Sequence, residues 1–404
     1  MLFLQFHTIV LKEMDFAHLL TDYYALAVLI VAALAFLYLM LSYGLTFMKM
    51  GVMRTGKKSK KGEDNAAAPY ADNPNLPVTV VIVAHNGAEK LRQHLACIMS
   101  QNYPNYEIVV VDYKSQDDTG FVLQLCEPAF PGLRRVPIKN DVNFFQGKKF
   151  PLAIGIQSAK NDVLVLTDVD CEPLGFQWLN AIVSAYKNDS TKMVIAPTVL
   201  DTKPGLLGAL QQYENLVRNA QMLAVAASGK AYTGMGSNLS YRRSFFFEND
   251  GFSRHYTEPE GSDDIFVNRN SHKGNTAVVL NDDALVKKEA ATTFGSWHYH
   301  RRQRISTRCY YSFFQRLRIA MRPLMLVLFY AACIYMFFLP SVPWLIPSLL
   351  LLVKLVWQIV CVMLAQKRFS LRNYHWFSPL LELYFLVADT ILAIITLHPK
   401  RCNP

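Results

Sequence analysis

Neither a disulfide framework nor a zinc ribbon is indicated. The 404 residues contain seven cysteines, at 97, 126, 171, 309, 333, 361 and 402, and none forms a CxxC pair. Cysteines so scattered fit a reducing cytosol, with Cys333 and Cys361 placed inside apolar runs. Charge is also scarce, at 18% Asp, Glu, Lys and Arg, against roughly 25% in soluble domains. The scarcity is local. No acidic residue occurs between Glu289 and Glu382, and Tyr23 to Met48 carries no charge at all. The net charge of +10 comes with no nucleic-acid-binding motif, so nucleic acid is not the expected partner. Internal repeats and long low-complexity tracts are missing as well.

The uncharged stretches indicate a membrane. A transmembrane helix is expected at 23–48, since about 20 apolar residues span a bilayer; the run is too long, and its N-terminal flank too little basic, for a signal peptide. Residues 1–22 form an N-terminal segment and 49–76 a basic, Gly-, Ala-, Asn- and Pro-containing linker. A second apolar block is broken by Pro340, Pro343 and Pro347, which predicts helices at 323–339 and 344–365. Lys354 inside the second must be packed against a partner or reach for water. Residues 379–397, with Glu382 and Asp389, are expected to span the membrane or to lie in it as a re-entrant helix. Between Arg308 and Met321, Tyr310, Phe313, Phe314, Leu317 and Met321 recur at helical spacing with Arg308, Arg316 and Arg318 around them. That pattern predicts an amphipathic interface helix at 308–322.

Basic residues cluster after the first helix, before the second and after the third. All three clusters share one side if the N-terminus is outside and residues 50–320 are cytoplasmic. The expectation is a multi-pass protein of the cell (inner) membrane with its globular domain in the cytoplasm. Membrane lipid is then a partner through the basic flanks.

From Pro77 onward strands and helices alternate, which predicts an α/β domain with a mostly parallel sheet. Strands are expected at 78–83, 106–111, 134–138, 162–167 and 193–199. Helices are expected at 88–100, 119–125, 148–158, 175–187 and 206–227. Two acidic stations end buried strands: Glu107 to Val111 runs into Asp112, and Val163 to Thr167 runs into Asp168-Val169-Asp170. In parallel sheets ligands bind beyond the carboxyl ends of the strands. Carboxylates at i and i+2 of an extended segment share a side, so Asp168 and Asp170 could address one divalent cation and a diphosphate. A structural turn or a helix cap is the competing reading of the same residues.

Several further segments stand in a telling order. Val80-Val81-Ile82-Val83-Ala84-His85-Asn86 leads out of the first strand. Tyr103-Pro104-Asn105-Tyr106-Glu107 precedes the second. Val111-Asp112-Tyr113-Lys114-Ser115-Gln116-Asp117-Asp118-Thr119 follows it. Gly147-Lys148 with Leu152 and Gly155, then Asp168-Val169-Asp170, then Gly261-Ser262-Asp263-Asp264 complete the series. Together they resemble the catalytic domain of family 2 glycosyltransferases, over residues 77–307. The resemblance implies a GT-A (nucleotide-diphospho-sugar transferase-like) fold in addition to the transmembrane helices. It also implies an inverting transferase that moves a sugar from a nucleotide-diphosphate donor, such as a UDP-sugar, with Mg2+ or Mn2+ as cofactor.

Roles follow residue by residue from that resemblance. Asn86, Asp112, Lys148 and Asp168 would contact the donor nucleotide. Asp170 would ligate the metal, with Asp168 in its shell. Asp264 would be the general base that takes a proton from the acceptor hydroxyl. Gly236, Asn238 and Asp263 would line the acceptor side. Arg302 or Arg304 would hold the diphosphate, or else form a lipid-facing basic cluster. The chain departs from the family pattern in places. His300 and Gln303 occupy the Gln and Arg places of Q-x-x-R-W with no Trp after them, and Gly87 and Tyr113 stand where acidic residues are common. The acceptor expected is a lipid-linked or glycan hydroxyl in cell-surface or exopolysaccharide synthesis. A polyprenyl-phosphate sugar synthase, a processive synthase and an inactive glycosyltransferase-like scaffold are the alternatives.

Overall fold

The strands expected to be buried on both faces form the centre of the sheet. The computed structural model describes residues 23–48, 70, 75–139, 147–256, 258, 260–369 and 374–396. The 1–22 segment and most of the 49–76 linker lie outside the described residues. The chain divides into two compact units, an α/β domain ending at Ser312 and a helical unit formed by the first apolar helix and Phe313–Asp389.

The helical unit contains α1 (Tyr23–Tyr43), continued by a π-turn at Gly44–Met48. The α/β domain follows, with β1 (Val78–Ala84), α2 (Ala88–Met99), β2 (Tyr106–Tyr113), α3 (Thr119–Cys126), β3 (Leu133–Ile138), α4 (Lys149–Ser158) and β4 (Val163–Asp168). After these come β5 (Cys171–Pro173), α5 (Trp178–Val183), β6 (Met193–Ile195), β7 (Thr198–Asp201), α6 (Leu206–Ala227), β8 (Leu239–Arg242) and α7 (Arg243–Glu248). The domain closes with α8 (Asp264–Asn270), β9 (Thr276–Val278), β10 (Val286–Glu289) and α9 (Phe294–Ser306).

The main sheet has the order β3-β2-β1-β4-β8-β6-β9. Its first four strands are parallel, β8 is antiparallel to both β4 and β6, and β9 is parallel to β6. Val80, Val81, Ile82, Ile108, Val110, Val165 and Leu166 are buried to within 2%, each worth about 1.5–3 kcal/mol. Continuous rather than alternating apolar runs are what a strand covered on both faces requires. Helix α4 crosses this sheet closely. A Cβ on Gly155 would lie 2.7 Å from Val81 Cγ1 and 2.8 Å from Val111 Cγ2, which gives the Gly of the Gly147-Lys148-Leu152-Gly155 segment a packing reason.

The single strand expected at 193–199 is two strands in different sheets. Pro197, which has no N–H to donate to a ladder, separates β6 from β7. The second sheet has the order β5-β10-β7, with β10 antiparallel to β5 and parallel to β7. Asn215 and Asn219 of α6 each donate to the Thr198 carbonyl at 2.8 Å, fixing the strand just after the break. The helix expected at 175–187 is shorter, Trp178–Val183 followed by a 3-10 turn.

In the helical unit, α10 (Phe313–Met336), α11 (Leu345–Arg368) and α12 (Ser378–Thr396) accompany α1. The sequence divides an interface helix at 308–322 from a transmembrane helix at 323–339. The structure instead has one helix from Phe313, with Pro323 inside it, and a 3-10 turn at Thr307–Tyr310. Among the described residues, four helices are long and apolar enough to cross a membrane: Tyr23–Phe47, Phe313–Met336, Leu345–Lys367 and His375–Thr396. Small residues let α1 pack closely, with Ala25, Ala32 and Ala35 nearly without exposure.

Lys354, fully buried, finds a partner inside this unit. Its ammonium donates to Glu382 Oε2 at 2.5 Å, Gln358 Oε1 at 2.7 Å and the Tyr330 hydroxyl at 2.8 Å. Arg322 lies 3.2 Å from Glu382 Oε1 and 4.9 Å from the centre of the Tyr43 ring, and the Tyr43 hydroxyl donates to the same Glu382 oxygen. All four helices meet in this one ionic cluster.

Candidate active site

Turn chemistry builds the edge of the sheet first. Asp117 accepts from Ala88 N at 3.1 Å and from Thr119 N at 3.0 Å, while Thr119 Oγ1 accepts from Gly87 N at 2.9 Å. The Ser-x-Asp-x-Thr segment therefore ties the first turns of α2 and α3 together. Asn86 has φ +50°, a left-handed conformation that Asn tolerates better than most residues. Its Oδ1 accepts from Gln116 N at 2.8 Å, and its own N–H donates to Ser115 Oγ at 3.0 Å. The residue is exposed and ties the turn after β1 to the Ser115-Gln116 turn after β2.

Asp112 ends β2 as expected, but its carboxylate is buried against β3. Arg135 Nη2 and Nε donate to Asp112 Oδ2 at 2.7 and 3.2 Å. The other oxygen is buried and has no hydrogen-bond partner among the described residues.

At the end of β4 the structure brings together Lys148, Asp168 and Asp170, and adds a residue that no motif marked. Lys148 makes an ion pair with Asp168 Oδ1. Lys288 Nζ lies 2.6 Å from Asp168 Oδ2 and 3.5 Å from Asp170 Oδ1. Lys288 arrives there because β10 pairs antiparallel with β5, placing Lys288 opposite Cys171. Burial works to raise Asp168, yet the Lys148 and Lys288 ammoniums outweigh it and hold the carboxyl far below the ordinary range. In turn, Asp168 and Asp170 overcome the burial of Lys288 and keep its ammonium charged.

Asp168, Asp170 and Cys171 present ligand atoms all within 4.8 Å of one another. The two carboxylates suit a hard divalent cation such as Mg2+ or Mn2+. Cys171 does not suit it, because burial pushes the thiol up and keeps its proton on, and a soft donor is a poor partner for such an ion.

Asp263 and Asp264 form a second station. Gly261, at φ +97°, turns the chain into α8. Asp263 Oδ2 accepts from Gly236 N at 2.7 Å, so Gly236 positions Asp263. Asp264 is buried, and Oδ2 accepts from the Thr307 hydroxyl and from the Tyr311 hydroxyl at 2.9 Å. Burial raises its carboxyl above the ordinary value and the neighbouring Asp263 charge adds to this, while the two hydroxyls oppose. Lys149, next to Lys148, donates to the His255 carbonyl at 2.5 Å and the Glu258 carbonyl at 2.9 Å. Burial lowers its ammonium to about 8. Two adjacent lysines thus serve different stations, Lys148 at Asp168 and Lys149 on the loop that leads to Asp263-Asp264.

Two expected site residues are placed elsewhere. Asn238 is fully buried. It accepts from Trp178 Nε1 at 3.1 Å and donates at 2.7 Å to the carbonyls of Pro197 and Ala284, so it braces the strand break and cannot line an acceptor. Arg304 pairs with Glu214 of α6 at 2.6 Å. Trp297 Nε1 donates to the same carboxylate at 2.7 Å, and Arg301 Nε is 3.3 Å away. Arg302 is exposed on α9.

This architecture, a mostly parallel central sheet with helices on both faces and acidic stations at its strand ends, is GT-A-like. The family model for glycosyl transferase family 2 matches residues 79–248. Glycosyltransferase AglE of Haloferax volcanii is 31% identical over 147 residues, which cover 36% of this chain and 46% of that protein. The chain therefore spans about half the length of this curated relative. The solved mannosyltransferase PcManGT of Pyrobaculum calidifontis, in complex with GDP-Man and Mn2+, shares the fold. It is 18% identical with a TM-score of 0.51, covering 85% of this chain and 98% of that one.

Proposed function

We propose that the chain is a membrane-bound, metal-dependent, inverting glycosyltransferase. In this reading it moves a sugar from a nucleotide-diphosphate donor to a hydroxyl of a lipid-linked or glycan acceptor in cell-surface polysaccharide synthesis. The observation that carries the reading is the paired carboxylates of Asp168 and Asp170 at the carboxyl edge of a parallel sheet, faced by Lys148 and Lys288. A nucleoside diphosphate is a polyanion, and a divalent cation on these carboxylates with the two lysines beside them would supply its counter-charges.

Asp168 and Asp170 would hold Mg2+ or Mn2+, which as a Lewis acid would offset charge on the departing diphosphate. The chain's own groups do the rest. Asp112 keeps one unsatisfied oxygen for a nucleobase N–H, at the edge framed by Asn86. Lys148 meets the diphosphate. Asp264 takes the proton from the acceptor hydroxyl as its oxygen bonds to the anomeric carbon, while the bond from that carbon to the diphosphate oxygen breaks on the opposite face. One displacement of this kind inverts the anomeric centre. A raised carboxyl suits a base working near neutral pH.

The basic flanks of the apolar helices favour a cytoplasmic catalytic domain in a multi-pass cell (inner) membrane protein.

A panel of nucleotide sugars, offered with Mn2+ to detergent-purified protein, is expected to give nucleotide release with at least one donor. Asp170→Ala should lose about 100-fold or more of that release, on the order of one removed transition-state charge contact. Release that survives this change would remove Asp170 from the site. The pH profile gives a second check. Tyr311→Phe deletes a hydroxyl that lowers Asp264, so Asp264 titrates at higher pH and the acid limb of kcat/KM moves upward. An acid limb that stays in place would mean another group titrates there.

A further inference from the structure

One cation of the donor station stands outside every motif and outside the 79–248 family match. Lys288 lies on β10, and strand pairing alone brings it beside Asp168 and Asp170. With Lys148 on the other Asp168 oxygen, the station holds two carboxylates and two ammoniums. Its charges already cancel.

The oxygens nearest Lys288 are the ones a hard divalent cation needs. Mg2+ sits about 2.0–2.1 Å from each oxygen ligand, and Lys288 Nζ is 2.6 Å from Asp168 Oδ2. A cation bound there must push the ammonium away. An ammonium displaced without a new partner would be left partly buried and uncompensated, which is unfavourable. A lysine has a long, flexible stem and can re-aim, and the diphosphate of the donor supplies the new partner.

We propose that Lys288 is the resident counter-cation of the Asp168–Asp170 pair, displaced by the divalent cation and then turned onto the diphosphate oxygens of the donor. The inference rests on the donor-site reading above. It makes Lys288 a positioning residue that couples the two ligands. Metal alone binds against the ammonium, and nucleoside diphosphate relieves that opposition, so each ligand strengthens the other beyond their direct contact.

Mn2+ binding to the full-length protein in detergent tests this, read by electron paramagnetic resonance of the free ion, with and without GDP or UDP. Lys288→Met is expected to bind Mn2+ alone at least tenfold more tightly than wild type, and to gain less than wild type when nucleoside diphosphate is added. Lys288→Arg should stay near wild type because it keeps the charge. If the Met variant melts early, Lys288→Gln gives the same comparison with a hydrogen-bonding side chain. Asp170→Asn is the control and should lose Mn2+ binding in every condition. If Asp170→Asn loses Mn2+ while the neutral variants bind it no better than wild type, the role of Lys288 is overturned and the donor site stands. If Asp170→Asn binds Mn2+ like wild type, the donor-site reading falls.

Discussion

Asp264→Asn is expected to lower kcat by about 100- to 10,000-fold on a hydroxyl acceptor, with little change in KM for the donor. The carboxylate accepts from Thr307 and Tyr311 through Oδ2 and is raised by burial and by Asp263. Asn keeps the size and loses the ability to accept a proton. In the proposed reading the donor is held by Asp168, Asp170 and Lys148, so donor binding should survive. Steady-state kinetics with the donor found in the nucleotide-release panel would show the split. A phosphate acceptor needs no base, so near-normal transfer by the variant would favour a polyprenyl-phosphate acceptor over a hydroxyl.

Glu382→Gln is expected to destabilise the helical unit by about 3–5 kcal/mol, the range for removing one partner of a buried ion pair. Lys354 and Arg322 share the Glu382 carboxylate, whose side chain is 4% exposed against 0% for Lys354. Without it two cations remain close together in an apolar setting, with hydroxyl and amide groups as their neighbours. Thermal melting of the detergent-solubilised protein should show a lower midpoint. Adding Lys354→Met to the same chain should recover part of the loss, because one of the stranded charges is gone. A variant that melts with wild type would mean the cluster contributes nothing to holding the four helices.

The parts of this protein that were legible in its sequence are those where local pattern and burial say the same thing. The runs Val78–Val83, Tyr106–Val111 and Val163–Thr167 are apolar throughout, and they became central strands because only a sheet covered on both faces buries such runs. Leu91, Leu95 and Ile98 share one helical face and are buried together. The uncharged stretch from Tyr23 could hardly be anything but an apolar helix. The acidic stations were visible because they end those strands.

What was not legible depended on contacts between distant segments. Asn238 looked like a loop residue beside Gly236, yet Trp178, Pro197 and Ala284 enclose it. Arg304 sat in a basic run that suggested phosphate, yet Glu214, 90 positions earlier, claims it. Pro197 divided an apparently continuous strand, because a missing N–H matters only once a ladder partner is known. The change from an Arg-flanked amphipathic pattern to an uncharged run misled in the other direction: it suggested a boundary at 322/323 where one continuous helix runs.

The sequence by itself therefore determined the α/β domain, the apolar helices and the acids at the strand ends, since each follows from residues that are neighbours along the chain. Only the tertiary structure decided which cations face those acids. Lys288 reaches Asp168 from 120 positions away through the pairing of β10 with β5, and Thr307 and Tyr311 reach Asp264 from beyond α9. Such partners are set by strand register and helix packing, where small shifts in pairing change which charge meets which, and local sequence carries no record of that choice.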